Sequence, residues 1–298
     1  MTGHPLRDAL PLFLLAGICF STLDATAKYL VRDHTLFLVV WARYVGQMLV
    51  TTPLAVHRLG PGFWRTQSLR IQLVRSACLV VATTSFFGGL RYLPLAEASA
   101  ITFLAPMFAI VLSMPILGER PTRARWMSAV AGFVGILILV RPGSAVFHPA
   151  TALLVMAAFS NALYQLLTRK LPNDAPHTTL FYSGLVGAIG LSLGLPFAEL
   201  PSVFSIRDGL FLVVLGLLAG VGHWLLIGAF LRAPASLIAP FTYGQMIWAT
   251  LFGFLVFDQL PDGVSAAGMA VIVASGVALV IHERRALPPR ARGDRAAR

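Results

Sequence analysis

The sequence has 298 residues, of which 57% are hydrophobic and only 12% are charged. Soluble domains carry about 25% charged and about 45–50% apolar residues, so this composition excludes a soluble enzyme and a soluble nucleic-acid-binding protein. The net charge of +11 would suggest a nucleic-acid partner in a soluble chain. Here the basic residues lie in short polar segments and in the tail, so no nucleic acid is expected to bind.

Apolar runs of about 20 residues, the length that crosses a hydrocarbon layer of about 30 Å, fill the chain from end to end. Turn residues such as Gly60-Pro61-Gly62 and Arg141-Pro142-Gly143 separate these runs. The runs lack the alternating pattern of a membrane β-barrel. The sequence therefore predicts an all-α integral membrane protein with ten transmembrane helices, and the first run is expected to be retained rather than cleaved as a signal peptide. We call the predicted helices spans 1 to 10 and place them at Ala9–Val31, Thr35–Val56, Ile71–Tyr92, Leu95–Leu117, Arg125–Val140, Ala150–Leu167, Thr178–Phe197, Gly209–Leu231, Ala235–Phe257 and Gly263–Ile281.

The distribution of Lys and Arg predicts the orientation of the chain. Basic residues concentrate before span 1, after each even-numbered span and in the tail, whereas the intervening segments hold few. Cytoplasmic loops of membrane proteins carry such an excess. Both termini are therefore predicted to be cytoplasmic, in a multi-pass protein of the cell inner membrane.

The chain is predicted to contain two copies of one five-span unit, residues 1–143 and 149–282, followed by a basic tail, 283–298, that is expected to be disordered. Features recur about 139 residues apart: Phe20-Ser21 corresponds to Phe159-Ser160, and Gly118-Glu119 corresponds to Phe257-Asp258. Because each unit has an odd number of spans, the second copy enters the membrane upside down. Inverted repeats of this kind are typical of secondary transporters that work by alternating access.

The motifs at the end of the first unit resemble those of a known family. They are Pro94-Leu95-Ala96-Glu97-Ala98-Ser99, Phe103-Leu104-Ala105-Pro106-Met107, Leu117-Gly118-Glu119-Arg120, Gly132-Phe133-Val134-Gly135 and Val140-Arg141-Pro142-Gly143. The sequence resembles the EamA domain of the drug/metabolite transporter superfamily, with a more divergent second copy over Ala150–Ile281. The resemblance implies ten helices, cytoplasmic termini and the movement of small organic solutes, often amino acids or related metabolites.

Three of the ionisable residues inside spans are site candidates, because charged groups are costly there and usually face a partner or a cavity. Asp24 and Lys28 are four residues apart on one helix face, close enough to pair. They either neutralise each other or take part in binding and proton transfer. Arg43 on span 2 either pairs with Asp24 or binds a substrate carboxylate, which its planar donors suit.

Uncharged polar and aromatic residues on both halves outline a cavity suited to an amphipathic solute. For each one the alternative is an ordinary hydrogen bond between helices. Pro106 and Pro240 interrupt spans 4 and 9 at related places and are candidates for gating or for a static kink. The full set of candidate cavity residues is Asp24, Lys28, Arg43, Thr84, Asn161, Tyr164, Gln165, His223, Trp224, Tyr243, Gln245 and Trp248.

The sequence has no His-Glu-x-x-His or Gly-x-Ser-x-Gly pattern, so neither an enzyme nor a metal or cofactor site is expected. The prediction is a secondary transporter of a small organic metabolite, foremost an amino acid moved outward, with a proton as the candidate coupling ion. A flavin or nucleoside-type metabolite is the alternative substrate. A channel or a non-transporting scaffold is the alternative from a different class, and the sequence leaves the oligomeric state open.

Overall fold

The computed structural model describes residues 5–198, 205–233 and 238–286. Within these ranges the chain forms ten helical spans, which confirms the predicted all-helical membrane fold. Seven segments are long and apolar enough to cross a membrane, and Phe241–Phe257 is a shorter apolar helix. The predicted start of span 9, residues 235–237, and residues 287–298 of the predicted tail lie outside the described residues. The α-helices are Pro5–Asp33, Leu36–Leu59, Leu69–Leu90, Leu95–Thr102, Ala105–Leu117, Arg123–Leu139, Thr151–Thr168, Pro176–Ser192, Ile206–Phe230, Gly244–Phe257 and Gly263–Ala286.

Spans 4 and 9 are each broken near the middle of the bundle. Span 4 divides at Phe103 and Leu104, whose N–H groups donate to carbonyls three residues back instead of four. In the described part of span 9, Ala239–Tyr243 is a 3-10 segment and an α-helix begins at Gly244. Each break lies beside a proline, Pro106 or Pro240, since proline cannot donate the backbone hydrogen bond that a continuous helix needs.

The loops after the broken spans match residue by residue. Gly118 and Asp258 both end a helix in the left-handed conformation, with φ of 68° and 53°, and the N–H groups that follow them bond back to the last helical turn in the same pattern. The side chains of Thr122 and Asp262 then accept hydrogen bonds from Arg125 N and Ser265 N. Gly118 thus corresponds to Asp258, so the repeat is one residue longer than the sequence comparison suggests.

Spans 5 and 10 pack against each other around a two-fold axis that relates the halves. An ideal Cβ on Gly135 would lie 2.8 Å from the Gly268 carbonyl oxygen, and one on Gly268 would lie 2.7 Å from the Gly135 oxygen. Gly132 faces Ser275, while Gly135 faces Ile272. In the repeat that the loops define, Gly132 corresponds to Ile272 and Gly135 corresponds to Ser275. The two contacts are therefore equivalent, as a two-fold axis between the halves requires.

Ion pairs fix the two ends of the bundle. We call the end where span 10 finishes the terminal face: there Arg125 pairs with Glu283 at 2.6 Å and Arg169 pairs with Glu119. At the other end, the opposite face, Arg141 pairs with Asp262 at 3.0 Å. The Arg169 guanidinium lowers the pKa of Glu119, because it stabilises the charged carboxylate.

Close helix crossings elsewhere depend on glycine. Spans 2 and 8 run side by side, and an ideal Cβ on Gly46 would lie 2.4 Å from the Cα of Gly216. One on Gly220 would lie 2.5 Å from the Cβ of Val50. Small residues let helix backbones approach this closely in membranes, where packing rather than the hydrophobic effect holds helices together.

We expect Gly46→Ala to destabilise the protein, because its Cβ would overlap the Gly216 backbone. Overpacking of this kind costs about 1–3 kcal/mol. The measurement is the thermal unfolding temperature of the purified protein in detergent. Gly190→Ala on span 7 is the matched control, since no atom lies within 4 Å of the added Cβ. Equal unfolding temperatures for the two variants would show that the span 2–span 8 crossing tolerates a wider spacing.

Candidate functional site

A central cavity of about 580 Å³ lies between the two halves. This volume falls in the range of about 300–1,000 Å³ typical of small-molecule sites. Towards the terminal face, the lining extends to Ser128, in the second turn of span 5, and to Val280, near the end of span 10. Towards the opposite face, it ends at Phe87 and Ser99.

Two of the three charged candidates, Asp24 and Arg43, line this cavity. Arg43 is 6% exposed, and its guanidinium lies 4.4 Å from the centre of the Tyr44 ring. Tyr44 is fully buried and shares a 3.0 Å hydrogen bond with Thr83. Among the described residues, Arg43 has no ion pair within 4.0 Å, and its Nη1 has no hydrogen-bond partner.

Lys28 lies outside the cavity lining and does not pair with Asp24 in the structure. Its ammonium group donates to the carbonyl oxygens of Leu90, at 3.1 Å, and of Leu93. A cation is favoured there because the carbonyls at the end of a helix lack partners and carry partial negative charge. The partners of the Lys28 ammonium group are therefore these two backbone carbonyls rather than the predicted Asp24.

Five uncharged candidates line the cavity: Asn161, Gln165, His223, Tyr243 and Gln245. His223 Nδ1 lies 2.8 Å from the Ala219 carbonyl oxygen, which can only accept, so this bond requires the proton on Nδ1. The His223 ring also packs edge-on against Phe20, with centroids 4.9 Å apart. Aromatic edges and amides therefore share the cavity wall.

Four candidates are placed elsewhere in the described part of the chain. Trp224 is 41% exposed on the outside of the bundle. Trp248 lies 3.9 Å from the position of a Cβ on Gly17, and Thr84 is half-buried. Tyr164 points away from the cavity lining and bonds to Arg75.

The two breaks meet at the centre of the cavity. Phe103 and Tyr243, which correspond to each other in the repeat, stack with ring centroids 5.0 Å apart and planes 18° from parallel. Equivalent residues can touch only near the two-fold axis. The Tyr243 hydroxyl lies against Gly276, where an ideal Cβ would be 1.5 Å from it. Pro106 lines the cavity next to this stack.

Arg75 is a buried residue that the candidate set missed. It is 1% exposed, and all its donor nitrogens are bonded, since it donates to Thr168, Gln72, the Thr179 carbonyl, Tyr164 and Ser183 at 2.7–3.0 Å. It thereby joins span 3 to spans 6 and 7. A signal was present in the sequence, because Arg75 is an arginine inside an apolar run and spans 6 and 7 carry hydroxyl residues that could serve as its partners.

Asp174, in the loop between spans 6 and 7, extends this network to the terminal face. Its carboxylate accepts from Thr66, from the Gln67 N–H at 2.9 Å and from Gln72 at 2.8 Å. Burial acts to raise the pKa of Asp174, but the three hydrogen bonds outweigh it and the pKa lies below its usual value. The loop carboxylate is therefore charged at neutral pH and orients Gln72 towards Arg75.

Cations pack on an aromatic ring at the opposite face. Phe257 lies beneath two cations, with Lys28 Nζ 5.4 Å and the Arg32 guanidinium 4.8 Å from the ring centre. The Arg141–Asp262 pair links the ends of spans 5 and 10 on the same side. No group of three potential metal ligands occurs in the parts of the chain that the structure describes.

Known proteins are similar to this chain over nearly its whole length. The S-adenosylmethionine uptake transporter of Rickettsia prowazekii is 27% identical over 92% of this chain and 93% of its own length. The riboflavin transporters of Vibrio cholerae and Rhizobium johnstonii are 31% and 30% identical, each over 91% of this chain and at least 90% of their own lengths. A solved crystal structure with 22% identity has the same fold, with a TM-score of 0.68 over 94% of this chain and 99% of its own.

The family comparison agrees with the repeat seen in the structure. The EamA-like transporter family matches residues 9–141 and 148–281, one copy in each half. The predictions of a transporter rather than an enzyme, and of two related halves in one membrane protein, are confirmed by this match. This chain belongs to the EamA-like transporter family.

Proposed function

We propose that this protein is a secondary carrier that moves a ring-bearing organic metabolite through its central cavity by alternating access. The observation that carries the proposal is the position of the cavity, on the two-fold axis between inverted halves and next to the breaks in spans 4 and 9. Broken helices at equivalent places form the substrate site in many transporters with inverted repeats.

For the substrate we favour the class to which S-adenosylmethionine and riboflavin belong, which was the alternative in the sequence analysis. The relatives named above carry those two compounds, and none of the three is named as an amino acid transporter. Both compounds combine a flat heterocycle with a polar chain. Stacked and edge-on rings, with the amides of Asn161, Gln165 and Gln245, suit that combination.

The membrane orientation follows from the charge distribution. We place the terminal face in the cytoplasm and the protein in the cell inner membrane, because the basic segments before span 1, after the even-numbered spans and in the tail all belong to that side. The cavity lining extends towards this face, so the observed conformation is the one open to the cytoplasm.

The direction of net transport is then set by the substrate gradient and, where a proton is coupled, by the proton gradient. A pH gradient imposed across vesicles that left the transport rate unchanged would exclude the proton.

Gating is assigned to the stack of Phe103 and Tyr243 beside Pro106. In an inverted repeat, the second state forms when the halves exchange conformations, so Phe103 would then approach Ile136, which corresponds to Gly276. Ile136 is 5% exposed and carries a branched side chain, whereas Gly276 leaves room for the Tyr243 hydroxyl. The contact of Tyr243 with Gly276 in the observed state is therefore less crowded than the contact of Phe103 with Ile136 would be in the second state.

We expect Met107→Trp to reduce transport at least tenfold, because Met107 lines the cavity and the indole would fill part of it. The assay is uptake of radiolabelled S-adenosylmethionine, riboflavin and L-tryptophan into proteoliposomes loaded with the same unlabelled compound. Met127→Trp is the matched control, since Met127 is 72% exposed. A folded parent protein that exchanges none of the three compounds would contradict the proposal, as would equal rates for the two variants.

Gly276→Ala should weaken the observed state, because the new Cβ would displace the Tyr243 hydroxyl from its socket. The readout is the rate at which N-ethylmaleimide labels a cysteine introduced at Leu279, in the cavity wall, with Cys19 and Cys78 replaced by serine. We expect slower labelling by threefold or more, and recovery in Gly276→Ala combined with Tyr243→Ala. Gly190→Ala is the control. An unchanged labelling rate in Gly276→Ala would rule out a gating role for this contact.

A further inference from the structure

We propose that Arg43 binds a carboxylate of the transported substrate, so that the substrate is a zwitterion that carries an amino acid group. This inference rests on the proposed function, since it names the chemistry recognised in the same cavity. It depends on the hydrogen bond that Arg43 Nη1 lacks, on the packing of the guanidinium against Tyr44 and on the carboxyl group of Asp24 in the same cavity.

The side chain of Arg43 is held in place, but one of its donor nitrogens, Nη1, has no partner among the described residues. Its guanidinium lies over the Tyr44 ring, and that ring is clamped by Thr83 on one side and by Gly187, whose Cβ would lie 2.3 Å from it, on the other. The residue is 6% exposed and lines the cavity. A buried donor without a partner is costly, and more so when it is charged, because the hydrogen bonds it made to water are not replaced.

Arg75 shows that the same fold can satisfy a buried arginine completely. Its partners are neutral side chains and a backbone carbonyl, and Ser183 on span 7 is one of them. At the repeat that relates the halves, Ser183 corresponds to Arg43 and Arg75 corresponds to Leu215. Leu215 is fully buried, and its aliphatic side chain has no acceptor. The contact equivalent to Arg75–Ser183 therefore gives Arg43 no hydrogen-bond partner.

An acidic side chain, Asp24, lines the same cavity as Arg43. Among the described residues the two side chains form no ion pair within 4.0 Å. Two opposite charges that face one cavity without touching suit a ligand that carries both signs. A carboxylate can accept from the guanidinium fork, and an ammonium group can donate to the Asp24 carboxylate.

The remaining wall accommodates the rest of such a molecule. The Phe20–His223 and Phe103–Tyr243 ring pairs offer apolar faces and edges, which a neutral heterocycle would contact. S-adenosylmethionine has this composition, with an aminocarboxylate at one end and adenine at the other. Riboflavin has the ring but no carboxylate, so Arg43 distinguishes the two classes.

The test compares compounds that differ only by the carboxylate. The probes are S-adenosylmethionine with its decarboxylated form, and L-tryptophan with tryptamine. Binding is measured from the thermal stabilisation of the purified full-length protein as a function of ligand concentration. We expect at least one carboxylate-bearing compound to bind tenfold or more tightly than its partner. In Arg43→Gln this ratio should fall to about one, through weaker binding of the carboxylate form alone.

Two further variants keep the test decisive. Arg43→Lys retains the charge and loses the fork, so it should give an intermediate ratio, and it replaces Arg43→Gln if that variant does not fold. Asp24→Asn should weaken the amine-bearing compounds of both kinds and leave riboflavin unaffected. Equal weakening of both members of a pair in Arg43→Gln would assign Arg43 a structural role and overturn the inference. Riboflavin binding alone, equal in parent and variant, would also overturn it while leaving the proposed carrier function intact.

Discussion

The backbone contact between spans 5 and 10 determines where everything else in the molecule lies. Gly135 and Gly268 bring the two helices to within reach of each other's carbonyl oxygens, and the Gly132–Ser275 and Gly135–Ile272 contacts between the same helices exchange under the two-fold axis. Because the axis is fixed there, equivalent residues of spans 4 and 9 meet beside it. Packing two copies around this two-fold axis accounts for the positions of the cavity, the helix breaks and the aromatic stack.

The buried charged residues differ in whether their donors have hydrogen-bond partners, and this difference separates structural positions from a binding site. An ionisable side chain inside a membrane protein costs about 2.5–3.5 kcal/mol on insertion scales unless it finds partners. Lys28 finds the carbonyls at the end of span 3, and Arg75 finds five neutral acceptors on three spans. Arg43 keeps an open donor in a cavity wall. Arg43 therefore keeps a cost that Lys28 and Arg75 avoid, which is typical of a binding site rather than of packing.

The architecture could be predicted from the sequence, whereas the partners of individual polar groups could not. Runs of apolar residues and the turn signals between them give the spans, since each must satisfy its backbone hydrogen bonds internally. The side chain of Lys28 is four residues from Asp24, but its bond to Leu90 depends on how span 1 packs on span 3. Arg75 and its acceptors lie in distant segments of the chain, so only the tertiary structure brings them together. The repeat was visible with an error of one residue, because glycine and aspartate can end a helix in the same left-handed conformation.

The differences between the two halves are what make a symmetric frame useful for transport. A carrier built from identical halves would populate its two states equally, and a ligand can shift such an equilibrium only by binding one state better than the other. Here Gly276 provides a socket for Tyr243, while Ile136 fills the equivalent position for Phe103. In the proposed gating, this difference favours one state of the empty protein. Arg43 and Asp24 belong to the first half alone, so a zwitterion bound between them interacts unequally with the two states and can offset that bias.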